Sequence, residues 1–141
     1  MKKFYVASSF RNMDAVNYVT NQLVNKGYVH TYDWTKNAQG RDEKTFTFED
    51  LKEIGQKEKD AVIKSDFIVV LLPGGKGTHI ELGIALGLGK KTFLYSLDGA
   101  LDQVEKASTF YHLPEVEKCY GKLDELVDKI AAQMLLSQEI S

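Results

Sequence analysis

Two glutamates and a glycine-rich turn carry the clearest chemical signal in this chain. The segment Pro73-Gly74-Gly75-Lys76-Gly77-Thr78-His79-Ile80-Glu81 directly follows an apolar run, Phe67 to Leu72. Glycines there let backbone N–H groups approach an anion, and a helix starting behind them adds its own unpaired donors. The segment lacks the Gly-Lys-Ser/Thr of a P-loop and the third glycine of the dinucleotide pattern, so it points to another kind of phosphate or carboxylate site. Gly74, Gly75, Gly77 and Thr78 are the candidate ligands. Two roles fit Glu81. Thr78-x-x-Glu81 has capping-box spacing, which would pair Glu81 with the Thr78 backbone N–H. At the carboxyl edge of a strand, beside the helix dipole, Glu81 would instead stay ionised and ready to attack an electrophilic carbon.

Glu58 is the second carboxylate. Leu51, Ile54, Ala61 and Val62 form an apolar helical stripe, and the spacing puts Glu58 on that inward face. Carboxylates are rarely buried unless paired. Desolvation would raise the pKa of Glu58 while the helix start lowered that of Glu81, and such a split suits an acid/base and a nucleophile. Glycosyl transfer through a covalent intermediate needs this arrangement, with the carboxyl groups about 5 Å apart. The alternative is that Glu58 reaches water at the stripe's edge or pairs with a lysine such as Lys57 or Lys59.

Near the first strand's end, Ser8, Ser9 and Arg11 combine hydroxyls, a helix start and a guanidinium, an anion-binding set; a capped helix with a solvated Arg11 is the plain alternative. Tyr5, between Phe4 and Val6, is either core or a phenol that orients a carboxylate. Trp34 opens a polar stretch, Asp33 to Thr47, where it either stacks on a base or covers the core's edge. Gly83 and Gly87 give one helix a small face for sheet packing or a subunit interface. His30, His79 and His112 lack partners at ligand spacing and are read as non-catalytic. Cys119 stands alone as a half-buried strand residue, so neither a disulfide nor a metal is expected, and no cofactor is implied.

The elements that must position these groups alternate. Lys3 to Ala7, Tyr28 to Tyr32, Phe67 to Leu72, Lys91 to Tyr95 and Val116 to Tyr120 read as strands. Helical patterns lie between them at Val16, Val19 and Leu23, at Leu51 to Val62 and at Thr78 to Leu88. A last helix follows from Leu123 to Met134, and Leu101 to Tyr120 begins with a short helix and a loop through Pro114. This is an α/β chain with a doubly wound parallel sheet of about five strands, whose ligands bind beyond the carboxyl ends of the strands. The 141 residues, 43% hydrophobic, fit one domain. A formal charge of −2 with mixed signs gives no footprint for a nucleic-acid polymer. The apolar run after Met-Lys-Lys is too short for a signal or a membrane span, so a cytoplasmic protein with a small-molecule ligand is expected.

Phe4-Tyr5-Val6-Ala7-Ser8-Ser9-Phe10, Asp66 ahead of the buried strand, and Gly77-Thr78-His79-Ile80-Glu81-Leu82-Gly83-Ile84-Ala85 resemble the nucleoside 2-deoxyribosyltransferase superfamily, which includes the 2′-deoxynucleoside 5′-phosphate N-hydrolases. The resemblance spans roughly residues 3 to 96. It implies a flavodoxin-like sheet, cleavage or transfer of an N-glycosidic bond, and a homodimer with shared active sites. By position it makes Glu81 the nucleophile at C1′, Tyr5 the residue that orients it, and Arg11, with Ser9 beside it, the phosphate ligand. Glu58 stands where the family usually has an aspartate, and Gly75 where better-known members carry a side-chain ligand. The glycine-rich signature also resembles the cytokinin-activating phosphoribohydrolases and, more distantly, TIR-like domains that act on NAD. A non-catalytic nucleotide sensor is the competing class.

Overall fold

The computed structural model describes residues 2–38, 45–105 and 107–140. The middle of the polar stretch, residues 39–44 with Gly40, lies outside the described residues. Strands β1 (Lys3–Ala7), β2 (Val29–His30), β3 (Phe67–Leu71), β4 (Lys91–Ser96) and β5 (Val116–Tyr120) form one sheet in the order β2-β1-β3-β4-β5. Every pairing is parallel. This is the flavodoxin-like order, and its reversal opens a crevice between the carboxyl ends of β1 and β3.

Helices α1 (Met13–Asn25) and α4 (Leu123–Ile140) pack together, as do α2 (Phe48–Lys64) and α3 (Lys76–Gly87). The sheet lies between the two pairs. All five residues of β3 are buried, as a strand covered on both faces requires. Val16, Val19 and Leu23 fasten α1 to the core, and Gly27 ends the turn beyond that helix at φ +99°.

Three sequence expectations shift. The second strand shrinks to two residues: the Thr31 N–H gives a last backbone bond to the Phe4 carbonyl at 3.0 Å, its hydroxyl donates to the same carbonyl at 3.2 Å, and the strand ends there. The stripe on α2 divides: Ala61 and Val62 are buried, but Leu51 is 51% exposed. The first half of α2 therefore overhangs the crevice instead of entering the core. Gly83 and Gly87 do not serve sheet packing, since both are exposed and a Cβ on either would meet nothing within 4 Å.

Candidate active site

Tyr5 on β1, Glu58 on α2 and Glu81 on α3 meet at the carboxyl side of the sheet. The Tyr5 hydroxyl donates to Glu81 Oε2 at 2.6 Å and lies 3.4 Å from Glu58 Oε2. Sharing one phenol confines those carboxylate oxygens to within about 6 Å of each other, close to the spacing of retaining glycosidases and short of most inverting ones. Tyr5 is fully buried, so its role as core and its role as an orienting phenol coexist in one side chain.

Burial dominates the electrostatics. It pushes the Glu81 carboxyl up to about 8, aided by the nearby Glu58 charge and opposed by the Tyr5 hydrogen bond. Burial also raises Glu58, against hydrogen bonds from Glu81 and Tyr5. The Tyr5 phenol is driven far above its ordinary range by burial and the two carboxylates, so it is a permanent donor. Through neutral pH the pair therefore retains a proton, enough for one acid and one anion.

The expected ionising effect of the helix is absent because α3 begins earlier than its apolar pattern suggests. Its N-cap is Gly75 and its first residue Lys76. Glu81 thus lies in the second turn, where the dipole has faded. The Thr78-Glu81 capping box does not form; the Thr78 hydroxyl oxygen instead accepts from the Gly75 N–H at 3.1 Å. The N–H groups of Lys76, Gly77 and Thr78 take no partner among the described residues. Gly74 is required by contact, since a Cβ there would fall 2.5 Å from Thr78 Cγ2. Gly75 and Gly77 face open space.

A cavity of about 740 Å³ opens above the carboxylates. Glu58, Glu81 and Thr78 line its base, with Gly75 and Gly77 on one side and Ser8, Ser9 and Arg11 on another. Ser8 is a strap more than a free donor: its hydroxyl donates to the Leu71 carbonyl at 2.7 Å and its oxygen accepts from Asn12 Nδ2 at 3.1 Å. The Ser9 hydroxyl makes a longer, exposed bond to the Pro73 carbonyl at 3.3 Å. Arg11 is exposed and makes no ion pair among the described residues. Trp34 forms part of the wall but is only 4% exposed, and its Nε1–H donates to the Val6 carbonyl at 2.6 Å.

Three solved structures share this fold over most of the chain. A CMP N-glycosidase from Clostridium botulinum superposes with a TM-score of 0.61 at 18% identity, covering 92% of this chain and 99% of that one. A conserved protein from Enterococcus faecalis V583 gives 0.63 at 20%, covering 94% and 99%. The 2-deoxyribosyltransferase of Bacillus psychrosaccharolyticus gives 0.64 at 19%, covering 89% and 90%. This chain has the deoxyribosyltransferase fold. No protein-family model matches the sequence, and neither does any curated protein.

Within the deoxyribosyltransferase fold, the cavity also recruits residues that sequence reasoning missed as site residues. Phe10, Phe46, Leu51 and Ile54 make much of its wall apolar, and Asn37 and Lys76 add polar groups. Leu51 and Ile54 were legible as apolar, but periodicity cannot distinguish a core face from a cavity face. Lys76 carried a signal in its place inside the glycine turn. His79 is hydrogen-bonded at both ring nitrogens: its Nδ1 lies 2.8 Å from the Gly75 carbonyl and its Nε2 2.6 Å from the Tyr111 hydroxyl.

Proposed function

We propose that this protein cleaves the N-glycosidic bond of a nucleoside 5′-monophosphate, preferably 2′-deoxy, with Glu81 as nucleophile. The observation that carries this reading is the Tyr5-Glu81-Glu58 cluster, with Tyr5 and Glu81 buried and Glu58 half-buried, at the base of an open cavity. The proton that the pair holds passes from Glu81 to Glu58, the Glu81 carboxylate attacks C1′, the C1′–N bond breaks, and its electron pair leaves with the base, which takes the proton from Glu58. A water, or a second base, then gives its proton to Glu58 and attacks C1′, breaking the ester and restoring Glu81. Tyr5 holds the Glu81 oxygen by a hydrogen bond that survives every step, because the phenol does not ionise.

The apolar wall of Trp34, Phe46, Leu51 and Ile54 suits a planar base. Arg11, Ser9, Lys76 and the unpaired N–H groups at the start of α3 suit a phosphate. The similarity in fold to a CMP N-glycosidase and a 2-deoxyribosyltransferase supports the same chemistry. A homodimer belongs to this reading, with its face on α3.

Incubation with nucleosides, ribo- and deoxyribonucleoside 5′-monophosphates and NAD, with chromatography of the free base, tests the proposal. Base release is expected fastest from a deoxyribonucleoside monophosphate. Release from none of the panel would overturn it.

A further inference from the structure

The proposed chemistry leaves His79 idle, yet both of its ring nitrogens are occupied. A carbonyl only accepts, so the Nδ1 beside the Gly75 oxygen carries a proton; in the neutral ring Nε2 then accepts from the Tyr111 hydroxyl. The two rings stack with centroids 5.8 Å apart, and Tyr111 is buried. The Gly75 carbonyl also accepts from the His79 backbone N–H at 3.2 Å, so one residue grips it twice. The peptide between Gly75 and Lys76 is planar, with its carbonyl and N–H pointing in opposite directions. A carbonyl held back along the helix sends the Lys76 N–H forward, out of the helix start, where Gly75, Lys76 and Gly77 line the cavity. Gly75 has no side chain of its own to hold that peptide, and a Cβ there would meet only open space.

We infer that His79, locked in one tautomer by Tyr111, is a positioning residue that aims the Gly75-Lys76 peptide at the substrate's phosphate and so sets the preference for phosphorylated over unphosphorylated substrates. The inference rests on the reading of the cavity as a nucleotide site. It assigns His79 no proton transfer and no contact with the ligand.

Three variants separate positioning from simple support. His79→Phe keeps a ring to stack on Tyr111 but loses both nitrogens. His79→Asn keeps an amide donor near the place of Nδ1. Tyr111→Phe removes only the hydroxyl. Affinity for ribose 5-phosphate and 2-deoxyribose 5-phosphate, measured by NMR titration against the unphosphorylated sugars, needs no turnover. For His79→Phe the expected loss for the phosphorylated sugars is about tenfold, the size of one hydrogen bond, with the plain sugars unaffected. His79→Asn recovers most of that loss, and Tyr111→Phe falls between. On whichever monophosphate the protein turns over, His79→Phe raises KM and leaves kcat nearly unchanged.

Equal losses for phosphorylated and plain sugars, no loss at all, or no rescue by His79→Asn would overturn the inference. So would a wild-type protein that binds the phosphorylated sugars no better than the plain ones. Should the wild type bind them selectively but release no base from any nucleotide, the glycosidase reading fails while the titrations still decide the role of His79.

Discussion

Glu81 sits where burial and the helix start act in opposite directions, and burial is the stronger because the residue lies a full turn beyond the N-terminus of α3. This reverses the effect expected of a cap. A capping glutamate stabilises, so its loss would cost stability. A carboxyl whose folded pKa is raised stabilises fully below its unfolded value of 4.5 and loses that contribution as pH climbs through about 8. Glu81→Gln should therefore melt close to the wild type at pH 5 and higher than it at pH 8, by about 1–3 kcal/mol, a typical cost of burying an uncompensated polar group. Thermal melts at the two pH values check this. Tyr5→Phe removes a hydrogen bond that lowers the Glu81 pKa. The expected outcome is a kcat lower by roughly 10–100-fold, since bonds to charged groups contribute about 1.5–3 kcal/mol. The acidic limb of the pH–rate profile, which follows ionisation of the nucleophile, should also move to higher pH. Residue types announced this site, because Tyr5, Glu58 and Glu81 were each legible as candidates. Their pKa directions were only half legible: burial depends on what α2 and α3 cover, and a linear pattern does not contain that.

Between β3 and α3 the glycine turn divides its labour by position. Gly74 lies against Thr78, and an added Cβ has no room; Gly75 faces the cavity, and an added Cβ intrudes only on a ligand. Gly74→Ala should destabilise by about 1–3 kcal/mol through overpacking. Gly75→Ala should leave the melting temperature nearly unchanged and raise KM. Equilibrium unfolding and steady-state kinetics on the two variants distinguish these outcomes. Strand and helix identities were readable because apolar runs and helical spacing report burial directly. The start of α3 was not: glycines 74, 75 and 77 are poor markers of a helix and mask Lys76 between them, and only the partners of Gly75 and Thr78 reveal the cap. The second strand was overread for a related reason. Tyr28 to Tyr32 are β-formers, but the side chain of Trp34 takes the Val6 carbonyl, which lies beyond the two residues that β2 pairs.

At the scale of the molecule, the strand order places the crevice where β1 and β3 part, and every group in the proposed chemistry is carried to that edge. Alternation of strands and helices was enough to anticipate the doubly wound sheet, though not which strands neighbour one another. The outer face of α3 carries Ile80 and Leu88, 64% and 54% exposed, with the open glycines 83 and 87 between them. That spacing makes a continuous strip along one side of the helix. Light scattering is expected to give twice the chain mass of 15.9 kDa, and Gly83→Arg to give the single mass. An active wild type that is strictly monomeric would contradict the shared-site dimer. The central claim is chemical, and one measurement tests it most directly: peptide mass mapping of protein quenched during turnover of a deoxyribonucleoside 5′-monophosphate. The expected result is a deoxyribose phosphate adduct on the peptide containing Glu81, absent from Glu81→Gln. Base release that persists in Glu81→Gln, with no adduct in the wild type, would contradict it.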